Sequence, residues 1–109
     1  MGADRVGREM IRRQTVKRDR NHAEVVKALT DAGCGVIDLS KVGDGCPDIL
    51  AHGPTWPHTL VLIEIKDGEL PPSHRKLTKA QEALHASWHG YIHVCKTVGE
   101  ALAAMGIKS

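Results

Sequence analysis

The chain has 109 residues, 41% of them hydrophobic. That is enough for one compact core and too little for a second catalytic domain. The hydrophobic set is aliphatic, with no Phe, one Tyr and two Trp, which excludes an extensive platform for stacking unpaired bases. The net charge of +2 hides an asymmetry: residues 1–20 hold seven Lys/Arg against three Asp/Glu, a net +4, and the remaining 89 residues carry a net −2.

Residues 1–20 read as a basic N-terminal arm, and 21–109 as one domain. On the arm, Arg12, Arg13, Lys17, Arg18 and Arg20 are candidate phosphate contacts, because neutralising phosphates releases counterions and supplies most non-specific affinity for nucleic acid. A solvated tail or polar helix is the plainer alternative. The arm lacks the apolar core of a signal peptide, and Val6 stands where a myristoylation signal wants Ser or Thr. No apolar run approaches the ~18 residues of a membrane span. Cys34, Cys46 and Cys95 are an odd, widely spaced set without a CxxC pair, as in a reducing compartment. The expected protein is soluble and cytoplasmic.

Asn21-His22-Ala23-Glu24 has the pattern of a capping box, and Val25, Val26, Leu29 and Ala32 recur at helical spacing until Gly33. A short β-branched strand follows from Gly35 to Leu39, then a glycine-punctuated turn through Gly45. Proline can open a strand but not sit within one, so Pro47 starts a strand over Asp48 to His52. Leu60 to Lys66 is apolar on both faces until Glu64, the pattern of a central strand covered on both sides. The segment from Asp67 to Ser73, with Pro71 and Pro72, reads as an irregular loop. Thr78-Lys79-Ala80-Gln81 begins a second helix whose Ala80, Leu84 and Trp88 share a face until Gly90. A strand from Tyr91 to Cys95 and a short helix from Thr97 to about Met105 complete the chain. The order αβββαβ plus a C-terminal helix predicts a three-layer α/β fold: a mixed four-stranded sheet flanked by helices, three strands in a meander and the fourth reached by a crossover.

Side chains alternate along a strand, so Glu64 and Lys66 project from one face. If the preceding strand pairs antiparallel, its start lies beside the end of this one, and Asp48 meets them. Two carboxylates with an ammonium alongside suit a hard divalent cation, since magnesium takes one or two carboxylates plus waters and phosphate oxygens. Such an ion stabilises charge on a phosphate under attack, and a lysine nearby can position or deprotonate the attacking water.

Gly45-Cys46-Pro47-Asp48, Glu64-Ile65-Lys66 and Gln81 together resemble the Gly-x-Pro-Asp, Glu-x-Lys and Gln signature of the PD-(D/E)XK nucleases, especially the VRR-NUC branch and phage or archaeal Holliday junction resolvases. The element order is also similar to that superfamily's restriction-endonuclease-like core, from Asn21 to about Met105. The resemblance implies a Mg²⁺-dependent DNA endonuclease, with Mn²⁺ as a substitute. Asp48, Glu64 and the backbone carbonyl of Ile65 would bind the ion, Lys66 would act on the attacking water, and Gln81 would support the site. It further implies branched or duplex DNA as partner and a homodimer, with Glu24 corresponding to the acidic residue many members carry on the first helix.

Each assignment has a rival. Glu-x-Lys can be a surface ion pair, and Gln81 can be a capping-box residue, although at ~100° per residue it lies about 20° from Trp88 on the covered face. Glu24 can likewise be a helix cap. Lys41, Arg75, Lys76 and Lys79 flank the predicted site as candidate phosphate contacts or solvated charge. Cys46 reads as a small filler. His85 and His89 have helical i,i+4 spacing, but no further zinc ligand follows at ligand spacing. The competing function is a non-catalytic DNA-binding or assembly module on the same fold.

Overall fold

The computed structural model describes residues 20–108, so Arg12, Arg13, Lys17 and Arg18 lie outside the described residues and Arg20 within them. Helix α1 (His22–Asp31) is followed by strands β1 (Gly35–Asp38), β2 (Ile49–His52) and β3 (Val61–Ile65). A 3₁₀ turn (Pro72–His74), helix α2 (Lys79–Ser87), strand β4 (Ile92–Cys95) and helix α3 (Val98–Ala104) follow. The sheet order is β1-β2-β3-β4, with the first three strands antiparallel and β4 parallel to β3. The expected element order, meander and crossover are all present. Among the described residues no helix is long and apolar enough to cross a membrane.

The core lies between the sheet and the α1–α3 pair. Val25 and Leu29, one turn apart on α1, are fully buried against Ile49, Ile63 and Ile65 from the sheet and Ala101 and Met105 from the C-terminal segment. Removing this apolar surface from water is the main favourable contribution to folding. Strand alternation sends the intervening residues Leu50, Leu62 and Glu64 to the opposite face, under α2. That second layer is thinner. No residue of α2 is fully buried, and an apolar groove of about 340 Å³ runs between it and the sheet, lined by Leu62, Leu84, Trp88 and Ile92 among others. The helix ends at Ser87, and Trp88 is its extended C-cap, 48% exposed. The expected Ala80-Leu84-Trp88 stripe is therefore cut short: Ala80 and Trp88 are exposed and Leu84 is half-buried.

Two local expectations are overturned. Asn21 does not cap α1 with its side chain; its Nδ2 instead donates to the carbonyls of Lys66 and Lys96, each at 3.1 Å, tying together the ends of β3 and β4. The proline-rich loop is not wholly irregular, since Pro72, at the first helical position, starts a 3₁₀ turn where its missing N–H is no loss. The Thr78–Gln81 capping box is present in full. At α3, Thr97 Oγ1 accepts from Glu100 N, while Glu100 Oε1 accepts from Lys96 N, one residue short of a reciprocal box.

Candidate functional site

The register of β2 and β3 pairs Ile49 with Ile63 and Leu50 with Leu62. Continued by one residue, it sets Asp48 opposite Glu64. The carbonyl of Asp48 turns away toward β1, accepting from Leu39 N at 2.7 Å. Asp48 and Glu64 are thus a non-hydrogen-bonded cross-strand pair, the arrangement in which facing side chains approach most closely. Both project toward α2, as does Lys66 two residues beyond Glu64.

Asp48 is oriented by a backbone donor. Pro47 has no N–H and cannot extend the ladder, and Asp48 Oδ2 takes the N–H of Ile65 at 2.7 Å in its place. Lys66 N donates to Cys95 O in β4; by alternation Ile65 turns its own N–H and carbonyl toward β2, the edge where Asp48 stands. Glu64 and Lys66 are buried, with residue exposures of 2% and 8%. Lys66 Nζ stands 3.8 Å from Glu64 Oε2, beyond hydrogen-bonding distance, and Gln81 fills the gap. Its Oε1 accepts from Lys66 Nζ at 3.0 Å and its Nε2 donates to Glu64 Oε2 at 2.8 Å. Buried charges require such partners, since desolvation otherwise costs more than the pair gains.

The loop before Asp48 rests on the helix that carries Gln81. Gly45 has φ +80°, and a Cβ there would lie 2.4 Å from the carbonyl oxygen of Ala80 and 2.9 Å from Gln81 N. Only glycine allows the two backbones so close. Cys46 sits between loop and site. Burial first, then the Glu64 and Asp48 carboxylates, push its thiol pKa up, as expected of a filler in a negative field.

The donor set fits a hard divalent ion. It offers the carboxylates of Asp48 and Glu64 and the carbonyl of Ile65, all oxygen, with room in magnesium's shell for water. Among the described residues no three His, Cys, Asp or Glu side chains group to hold a metal by themselves, and Glu24 is placed at the start of α1. It lines a cleft of about 590 Å³ with Arg20, Asn21, Asp67 and Lys96. His85 and His89 do not keep the helical i,i+4 spacing expected of them, because α2 ends at Ser87 and leaves His89 outside the helix.

The flanking cations separate into two groups. Arg20 is engaged by Asp67, Nε to Oδ2 at 2.8 Å, and by Glu69 at 2.7 Å; the Arg20 hydrogen bond, and then the Glu69 backbone N–H, hold the Asp67 carboxyl below its ordinary range. Arg75 donates to the carbonyl of Gly68 at 2.9 Å, bracing the loop after Lys66. Lys41, Lys76 and Lys79 are exposed, and Lys79 opens α2 two residues from Gln81. Reasoning from sequence missed Asn21 as a tie between strand ends and Gly45 as a contact with α2. Neither pattern signals its distant partner. No family model, curated protein or solved structure matches the chain.

Proposed function

We propose that the chain is a metal-dependent endonuclease that hydrolyses DNA phosphodiester bonds, with Asp48, Glu64, Lys66 and Gln81 at its centre. One observation carries this reading: two carboxylates facing each other across adjacent strands, at the position of closest approach, with a buried ammonium beside them. Like charges directly opposite destabilise a sheet, and a divalent cation bound between them would turn that cost into a gain. Bound by Asp48, Glu64 and the Ile65 carbonyl, Mg²⁺ or Mn²⁺ would stabilise the charge on the phosphate under attack and acidify the attacking water.

Lys66, held by Gln81 beside Glu64, would orient that water by donating to it and stabilise the hydroxide formed as the water's proton passes to solvent. Water oxygen bonds to phosphorus, the bond to the leaving sugar oxygen breaks, and the departing alkoxide takes up a proton. The basic arm and the exposed Lys41, Lys76 and Lys79 supply phosphate contacts that fix the backbone without reading sequence. The scarcity of aromatic side chains agrees with a substrate recognised by shape, such as a four-way junction or other branched DNA. A homodimer would bring the two centres that paired cuts require.

A cleavage panel of synthetic junction, flap and duplex DNA in Mg²⁺ and Mn²⁺ tests the proposal. The wild-type chain should cut at least one substrate, and Lys66→Ala and Asp48→Ala should abolish cutting. Cleavage that needs no metal and survives both substitutions would refute it. Undiminished DNA affinity with no turnover in any divalent metal would favour a non-catalytic binding module instead.

A further inference from the structure

We propose that Thr78 is a positioning residue for the Glu64–Lys66 centre, acting through Gln81, so that the first turn of α2 sets the spacing of the reacting groups; this rests on the nuclease reading above. The Gln81 amide offers one acceptor and a two-proton donor. Its Oε1 faces the backbone N–H of Thr78 at 2.8 Å and Lys66 Nζ at 3.0 Å. Both partners can only donate. Oε1 must therefore be the atom between them, and Nε2 must turn to Glu64 Oε2 at 2.8 Å. The flipped amide would set N–H against two donors, so chemistry fixes an orientation that would otherwise be an assignment.

Thr78 closes the circuit, because its Oγ1 accepts from Gln81 N at 3.1 Å. The hydroxyl holds the backbone of residue 81, and the backbone of residue 78 holds the side chain of residue 81. The same side chain keeps Lys66 and Glu64 3.8 Å apart. Without it, the ammonium would close on the carboxylate as a direct charge-assisted pair. That contact would withdraw the lysine from the water. A cap that only stabilised α2 would change the folded fraction and leave turnover of the folded protein alone.

The test compares Thr78→Val, which keeps the branched shape and loses the hydroxyl, with Thr78→Ser, which restores it. Two readouts are taken on the full chain below its melting temperature: the ¹H–¹⁵N signal of the Gln81 side-chain amide, and kcat and KM on the substrate cut in the cleavage panel. Thr78→Val should shift the Gln81 amide signal and speed its hydrogen exchange. Its kcat should fall roughly 10- to 100-fold, the usual effect of removing a group that orients a metal ligand, with KM little changed. Thr78→Ser should recover both. An unmoved Gln81 signal, or a kcat for Thr78→Val equal to wild type, would overturn the proposal. A wild-type chain that cuts nothing would overturn the nuclease reading and any catalytic role for Thr78, while the amide signal would still report whether Thr78 sets Gln81.

Discussion

Replacing Gly45 with Ala tests whether the Pro47-Asp48 loop and α2 form one positioned unit. Two costs are separable at this glycine. Its φ of +80° lies in the left-handed region, where a Cβ costs roughly 1–2 kcal/mol. The added Cβ would also stand 2.4 Å from the Ala80 carbonyl oxygen, and ordinary contact begins at 3.4 Å, so helix or loop must retreat by about 1 Å. Such overpacking typically costs a further 1–3 kcal/mol or so, and a displacement of ~1 Å at a catalytic constellation can cost about 100-fold in rate.

Gly43 supplies the control. Its φ is +83°, and a Cβ added there would meet nothing within 4 Å, so Gly43→Ala carries the strain without the contact. Urea denaturation and single-turnover cleavage of the preferred substrate, measured at matched folded fractions, separate the two. Gly43→Ala should lose on the order of 1 kcal/mol and keep nearly full turnover. Gly45→Ala should lose more stability and about two orders of magnitude in turnover. If the two variants prove equal in both measurements, the packing of Gly45 on α2 does not position the site.

Asp48→Asn keeps an acceptor for the Ile65 N–H and removes one of two opposed charges. It should raise metal-free stability by roughly 0.2–1 kcal/mol while abolishing the stabilisation that Mn²⁺ gives the wild type, about 2.7 kcal/mol at 100 times Kd; calorimetric melts with and without metal check both. Cys95, the buried last residue of β4, has its thiol pushed up to about 11 from 9.0, chiefly by burial and next by Glu100. An acid whose folded pKa is raised stabilises the fold below its unfolded pKa and loses that contribution as pH rises. Wild-type stability should therefore fall relative to Cys95→Ala between pH 9 and about 11, and parallel pH profiles in denaturant melts would contradict this. Lys79→Ala should weaken DNA binding equally across sequences and reduce the salt slope of log K by about 0.9; an unchanged slope would place Lys79 away from phosphate.

The elements and the centre were legible where the signal was short-range. Period-two alternation puts Glu64 and Lys66 on one face, and a meander of strands that short brings Asp48 beside them. The register then follows from burial, because a slip by one residue would turn Ile49 and Ile63 out of the core. Long-range demands were not legible. The carbonyls of Lys66 and Lys96 end neighbouring strands and need donors, and Asn21, whose local pattern is that of a helix cap, supplies both. No neighbouring residue announces such a need. Trp88 falls one residue beyond the helix, as its C-cap, because helical periodicity records which face is apolar and not the residue at which the helix ends.

Gln81 shows why local and functional readings of a residue need not exclude each other. Capping uses the backbone N–H of Gln81 as donor and one lone pair of its Oε1, to Thr78 Oγ1 and Thr78 N. The site uses the second lone pair of Oε1, to Lys66, and the Nε2 donor, to Glu64. A carboxylate at this position could satisfy the cap equally well, but it would meet Glu64 with a like charge instead of an N–H. Glutamate and glutamine are interchangeable in a capping box, so it is the acidic neighbour on the sheet face beneath α2, not the helix, that favours the amide at position 81.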